Sequence, residues 1–89
     1  MISVATKDFW KEFDSLPDSI KDLARKAYKL FQEDPSHPSL HFKKITDDPI
    51  VYSVRISIHY RALGAKLDDT IIWFWIGNHD KYERLIKSL

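Results

Sequence analysis

Apolar residues recur every three or four positions in the first third of the chain and every second position in its latter half. Ile2 to Ala5 is a short apolar run that predicts a first strand. Thr6 reads as the N-cap of a first helix with Phe9, Trp10, Phe13 and Leu16 on one side, ending near Leu16–Pro17. A second helix follows, capped by Ser15. Pro17 suits its first turn, where the missing N–H would be unpaired in any case. Ile20, Leu23, Ala24, Ala27, Leu30 and Phe31 trace its apolar stripe, and Lys21, Asp22, Arg25, Lys26 and Lys29 occupy the other faces. The residue before a proline avoids the helical region, so Asp34–Pro35 stops this helix.

Pro35, Pro38 and Pro49 punctuate a loop-like stretch in which Leu40, Phe42 and Ile45 alternate loosely and predict a partial strand. Beyond Pro49, Ile50, Tyr52, Val54, Ile56, Ile58 and Tyr60 alternate with Val51, Ser53, Arg55, Ser57, His59 and Arg61. That is a half-buried strand with one polar face, too long for a single strand, so a tight bend is expected near Ser57–His59. Gly64 and the Asp68–Asp69 pair bracket the next turn. Thr70 to Ile76 reads as a central strand, with Trp73 and Trp75 on one face. Tyr82 to Leu89 reads as a short terminal helix. The expected architecture is α+β: an N-terminal helical hairpin packed on one face of a small, mainly antiparallel sheet, in two layers. The opposite face, with the strand arginines, is expected to be open.

A chain of 89 residues is expected to form one domain over 1–89. It buries roughly 60–65% of its unfolded surface, which favours a shallow groove over a deep pocket. The absence of cysteine excludes disulfides, thiolate metal sites and cysteine nucleophiles. No stretch reaches the roughly 20 apolar residues of a membrane span. Charged residues by position 8 argue against a signal peptide, and the expected location is cytoplasmic. A net charge of +1 is not that of a protein held to nucleic acid by bulk electrostatics. The distribution is more informative. No acid lies between Pro49 and Leu67, whereas Arg55, His59, Arg61 and Lys66 do, and Lys43 and Lys44 come just before. This is either a local basic patch or a chance gap in the acids of a strand-rich region.

If the strands are neighbours, Arg55, Arg61, His79, Tyr82 and the Lys43–Lys44 pair can surround one groove. Cleavage of RNA by the adjacent 2′-hydroxyl needs a base on that hydroxyl, cations on the phosphorane and an acid for the 5′-oxygen. Arginine matches phosphate oxygens in bidentate fashion, histidine titrates near neutrality, and tyrosine stacks or donates a hydrogen bond. By spacing alone the same residues also read as ordinary surface arginines, a loop histidine and a core-capping tyrosine. Trp73 and Trp75 read as core or partner surface more readily than as a base-stacking pair. His37 and His41 lie in a proline-containing loop without a third ligand, so no metal site is expected.

The run Val51 to Gly64, with its Tyr-x-Val-Arg strand, bend and Tyr60-Arg61 pair, resembles the central strands of the RelE/ParE superfamily of small bacterial toxins. Ile76-Gly77-Asn78-His79, with Tyr82 shortly after, is similar to that superfamily's closing motif. The resemblance covers essentially the whole chain. It implies the toxin of a type II toxin–antitoxin pair, held inactive by a cognate antitoxin, with no cofactor and no metal. RelE-like members cleave mRNA on the ribosome. Carried over, Arg55 and Arg61 would bind the scissile phosphate, His79 would donate a proton or, as in some members, act as the base, and Tyr82 would orient the base or nucleotide. Lys43 or Lys44 supplies a cationic base or positioning group, and His59 adds to phosphate binding. Asp80 is expected to oppose phosphate nearby. The alternatives are a ParE-like inhibitor of DNA gyrase and a non-toxic relative that retains only antitoxin binding.

Overall fold

The computed structural model describes residues Met1–Leu89. Strand β1 (Ile2–Ala5) leads into α1 (Lys7–Asp14) and α2 (Asp18–Glu33). A single 3-10 turn, Pro38–Leu40, precedes β2 (Lys43–Asp47), β3 (Ile50–Ser57), β4 (Tyr60–Leu67), β5 (Thr70–Asn78) and α3 (His79–Ile86). The strands form one sheet in the order β1-β5-β4-β3-β2, antiparallel except that β1 runs parallel to β5.

The predicted elements are present, and the local chemistry explains their limits. Thr6 caps α1, its hydroxyl accepting from the Phe9 N–H at 3.1 Å. Ser15 does not cap α2. It ends α1 instead, donating its hydroxyl proton to the Glu12 carbonyl at 2.8 Å. Pro17 occupies the N-cap of α2, and its carbonyl accepts from Ile20 and Lys21. The bend falls at Ile58–His59, as the alternation requires. Gly64 is not at a turn. It lies buried within β4, and the turn is made by Asp68, in left-handed conformation at φ 54°, together with Asp69.

The hairpin packs its stripe on the sheet. Phe13, Ala24, Ala27 and Phe31 meet Leu40, Val54, Ala62, Ile71, Trp73 and Ile76 in the main core. Phe31 stands edge-on to Phe42 at 5.0 Å and to Trp73 at 5.3 Å. The helices leave an apolar cleft of about 360 Å³ beside β1, walled by Val4, Phe9, Trp10, Tyr28 and Phe31. Trp10 is 52% exposed there and Tyr28 40%.

Two features depart from a simple alternating sheet. Leu63 pairs with Trp75 but Gly64 pairs with Trp73, so Phe74 is an extra residue in β5. Such a bulge switches the face of every residue beyond it. Trp73 and Trp75 therefore lie on opposite faces: Trp73 joins the helix-side core, and Trp75 packs with Tyr82 on the other side. The opposite face is also less open than expected. α3 folds over one end of it, where Tyr82 closes a second small core on Val51 and Leu63.

Candidate functional site

On that second face, beside α3, the sheet carries a polar groove of about 150 Å³. Its walls are His41, Lys43, Ser53, Arg55, Arg61, His79, Tyr82, Glu83 and Ile86. The register explains why they converge. Arg55 on β3 stands directly opposite Arg61 on β4, and Lys43 on β2 stands opposite Ser53 on β3. The strand period of two puts Ser53 and Arg55 on the same face. On its other side Arg61 faces Gly77 of β5, a position without a side chain that the Trp75 indole covers.

Arg61 lies half-buried across the β3–β4 bend. One guanidinium nitrogen donates to the Ser57 and Tyr60 carbonyls, the latter at 2.9 Å. Its remaining N–H groups make no hydrogen bond within the protein. Burial, and then the charge of Arg55, hold the Arg61 guanidinium below its ordinary pKa, while Tyr82 and Glu83 act the other way. Two cations in opposed positions form an electropositive spot, the arrangement a phosphate dianion or phosphodiester neutralises.

α3 is positioned by its cap. The Asn78 side-chain oxygen accepts from the Lys81 N–H at 2.9 Å, which places His79 at the first helical position. The His79 N–H donates to the His59 carbonyl at 2.7 Å, locking the helix start to the β3–β4 bend. The His79 ring lies 3.4 Å from a Glu83 oxygen through Nε2, and 5.6 Å from the Tyr82 ring. Tyr82 is only 4% exposed, with its ring in the second core, so it is a groove wall and has no free face on which a base could stack.

Of the residues expected at the site, Lys43, Arg55, Arg61, His79 and Tyr82 line one groove. Lys44 and His59 do not. Lys44 stands opposite Tyr52, and its ammonium is held by Asp47 at 2.6 Å, a hydrogen bond that raises its pKa. His59 sits exposed in the bend and takes part through its carbonyl. Asp80 is exposed outside the groove, and the acid that does enter it is Glu83. Sequence reasoning missed Glu83, Ser53 and His41. The i,i+4 spacing of His79 and Glu83 within a helical stretch was the available signal for the first. No group of three or more His, Cys, Asp or Glu side chains is arranged to hold a metal ion. No helix is long and apolar enough to cross a membrane.

Residues 18–84 match the family model of the ParE-like toxin domain. The chain belongs to the ParE-like toxin family. Within the wider RelE/ParE superfamily the toxin's fold is shared by several solved structures. RelE in the RelB–RelE antitoxin–toxin complex of Methanococcus jannaschii superposes with a TM-score of 0.74 at 22% identity, over 92% of this chain and 96% of that one. The RelE–RelB complex of Pyrococcus horikoshii gives 0.69 at 18% identity, over 86% and 92%. The isolated RelE toxin of E. coli gives 0.62 at 16% identity, over 99% and 98%. No curated protein matches the chain in sequence. The matched segment of the family model omits β1 and α1 but contains every groove residue except Ile86.

Proposed function

We propose that this toxin is a ribosome-dependent mRNA endoribonuclease that inhibits translation, cutting by attack of the 2′-hydroxyl on the adjacent phosphate. The observation that carries the reading is the opposed Arg55–Arg61 pair in a groove that also holds Lys43 and His79. The two guanidinium groups bind the scissile phosphate and stabilise the charge that grows on it in the phosphorane. His79 protonates the departing 5′-oxygen, and Glu83 orients its ring through Nε2. Lys43 steers the RNA backbone into the groove. RelB-bound RelE structures support a cognate antitoxin as the resting partner. The apolar cleft with its exposed Trp10 and Tyr28 offers such a segment a surface away from the groove.

The test is mRNA cleavage in a purified translation system, with and without ribosomes. Arg61→Ala is expected to lower the cleavage rate by about 10²–10³-fold, and His79→Ala to do the same, while circular dichroism stays native. Full cleavage by both variants would remove these roles. The ParE-like family match supports a second reading, inhibition of DNA gyrase. DNA damage on expression, with mRNA left intact, would select it.

A further inference from the structure

We propose that His41 is the general base of the groove, the partner of His79 across the phosphate site. This rests on the ribonuclease reading above and adds the residue that reading lacks.

Three observations carry it. His41 lines the same groove as Arg55, Arg61 and His79. It is exposed, and neither ring nitrogen makes a hydrogen bond within the protein, so its lone pair is free for a substrate. Its backbone sits in the left-handed region, at φ 45° and ψ 43°. A residue other than glycine there costs on the order of 1 kcal/mol. His37 makes the contrast plain. Its Nδ1 accepts from the Ser39 N–H at 3.2 Å and bonds the Ser39 hydroxyl at 2.8 Å, so that ring is used to cap the 3-10 turn.

The two groove histidines differ in their surroundings. His79 is engaged by a carboxylate, whereas His41 enters the groove from the loop before β2, two residues ahead of Lys43. The charged and titratable groups facing the shared space are Lys43 from β2, Arg55 from β3, Arg61 from β4, and His79, Tyr82 and Glu83 from α3. Neutral His41 takes the proton of the 2′-hydroxyl as that oxygen bonds to phosphorus. The phosphorus–O5′ bond breaks, and protonated His79 gives its proton to the 5′-oxygen. The products are a 2′,3′-cyclic phosphate and a 5′-hydroxyl. Exchange with water returns both rings to their starting states.

His41→Asn tests the assignment, because asparagine keeps the left-handed backbone and so the fold. Its cleavage rate is expected to fall about 100-fold, with an unchanged or higher melting temperature. Its pH–rate profile should lose the limb that rises with pH, and that of His79→Asn the limb that falls. In a nuclear magnetic resonance titration with uridine 3′-phosphate, the ring signals of both histidines should shift. Wild-type rate and profile in His41→Asn would overturn the assignment while leaving the ribonuclease reading in place, and so would a titration that moves His79 alone. A wild type that cuts no mRNA would overturn that reading and the base role together.

Discussion

Arg55 and Arg61 oppose each other across β3 and β4, and directly opposed like charges destabilise a sheet by about 0.2–1 kcal/mol. The arrangement works against stability and in favour of an anion. Arg55→Gln should therefore raise the melting temperature by about 2–4 °C, taking about 0.5 kcal/mol and the usual conversion for a domain of this size. The same variant should bind RNA more weakly. A thermal melt and a binding titration on one sample check both, and an unchanged or lower melting temperature would mean that the pair is not under strain. At this scale the sequence was informative where the period was clean. Alternation alone put Arg55 and Arg61 on strands either side of a bend, and register made them a pair. The two lysines were not separable by sequence, since choosing between them needs the identity of the opposing residue: Ser53 for Lys43, Tyr52 for Lys44. His41 was hidden for a related reason. Its place in the groove comes from one left-handed residue in a loop, which no periodicity reports.

Among the elements, β4 and β5 share the longest register in the sheet, and at Gly64 the side chains of β5 fill the space a Cβ would need. A Cβ at Gly64 would lie 2.7 Å from Ile71 Cγ1 and 2.8 Å from Trp73 Cε3, both inside the main core. Ile71 is fully buried and Trp73 nearly so, leaving neither room to yield. Gly64→Ala should destabilise the protein by about 1–3 kcal/mol, as overpacking of a filled core does. Urea unfolding with an unaltered slope and a lowered midpoint checks this. A wild-type midpoint would mean that the strands part easily here. The glycine was visible in the sequence, but its turn reading came from composition, whereas its use is close packing within a strand. The Phe74 bulge was likewise illegible. Both strands look continuous in isolation, and only their pairing exposes the extra residue that turns Trp75 toward α3.

Over the whole molecule, charge and shape are divided between two faces. The net charge is +1, yet Lys43, Arg55 and Arg61 gather in one groove. If those three cations make the phosphate contacts, the binding constant for a single-stranded RNA should fall with salt at a log–log slope of about −2, at roughly 0.7 per contact. Fluorescence anisotropy across a salt series measures it. A slope steeper than about −4 would require basic surface well beyond the groove. The α+β hairpin-on-sheet plan was legible because it follows from two periods, one for each layer. The covering of the second face by α3 was not. It depends on a single residue, Tyr82, finding Val51 and Leu63, which lie far from it in the chain.

The parallel pairing of Ile2–Ala5 with Thr70–Trp73 bears on how the protein is made. β1 waits for β5, which lies far along the chain, because no other strand in the sheet borders it. Chains are synthesised at roughly 5–20 residues per second, far more slowly than hairpins form. β3 and β4, joined by a two-residue bend, can thus pair before β1 and β5 find each other. His79 and Glu83 come later still, at the start of α3 and within it, so the arginine pair is in the chain before the α3 wall of the groove. The groove of this toxin is therefore complete only once the closing helix has been made and has docked on the sheet.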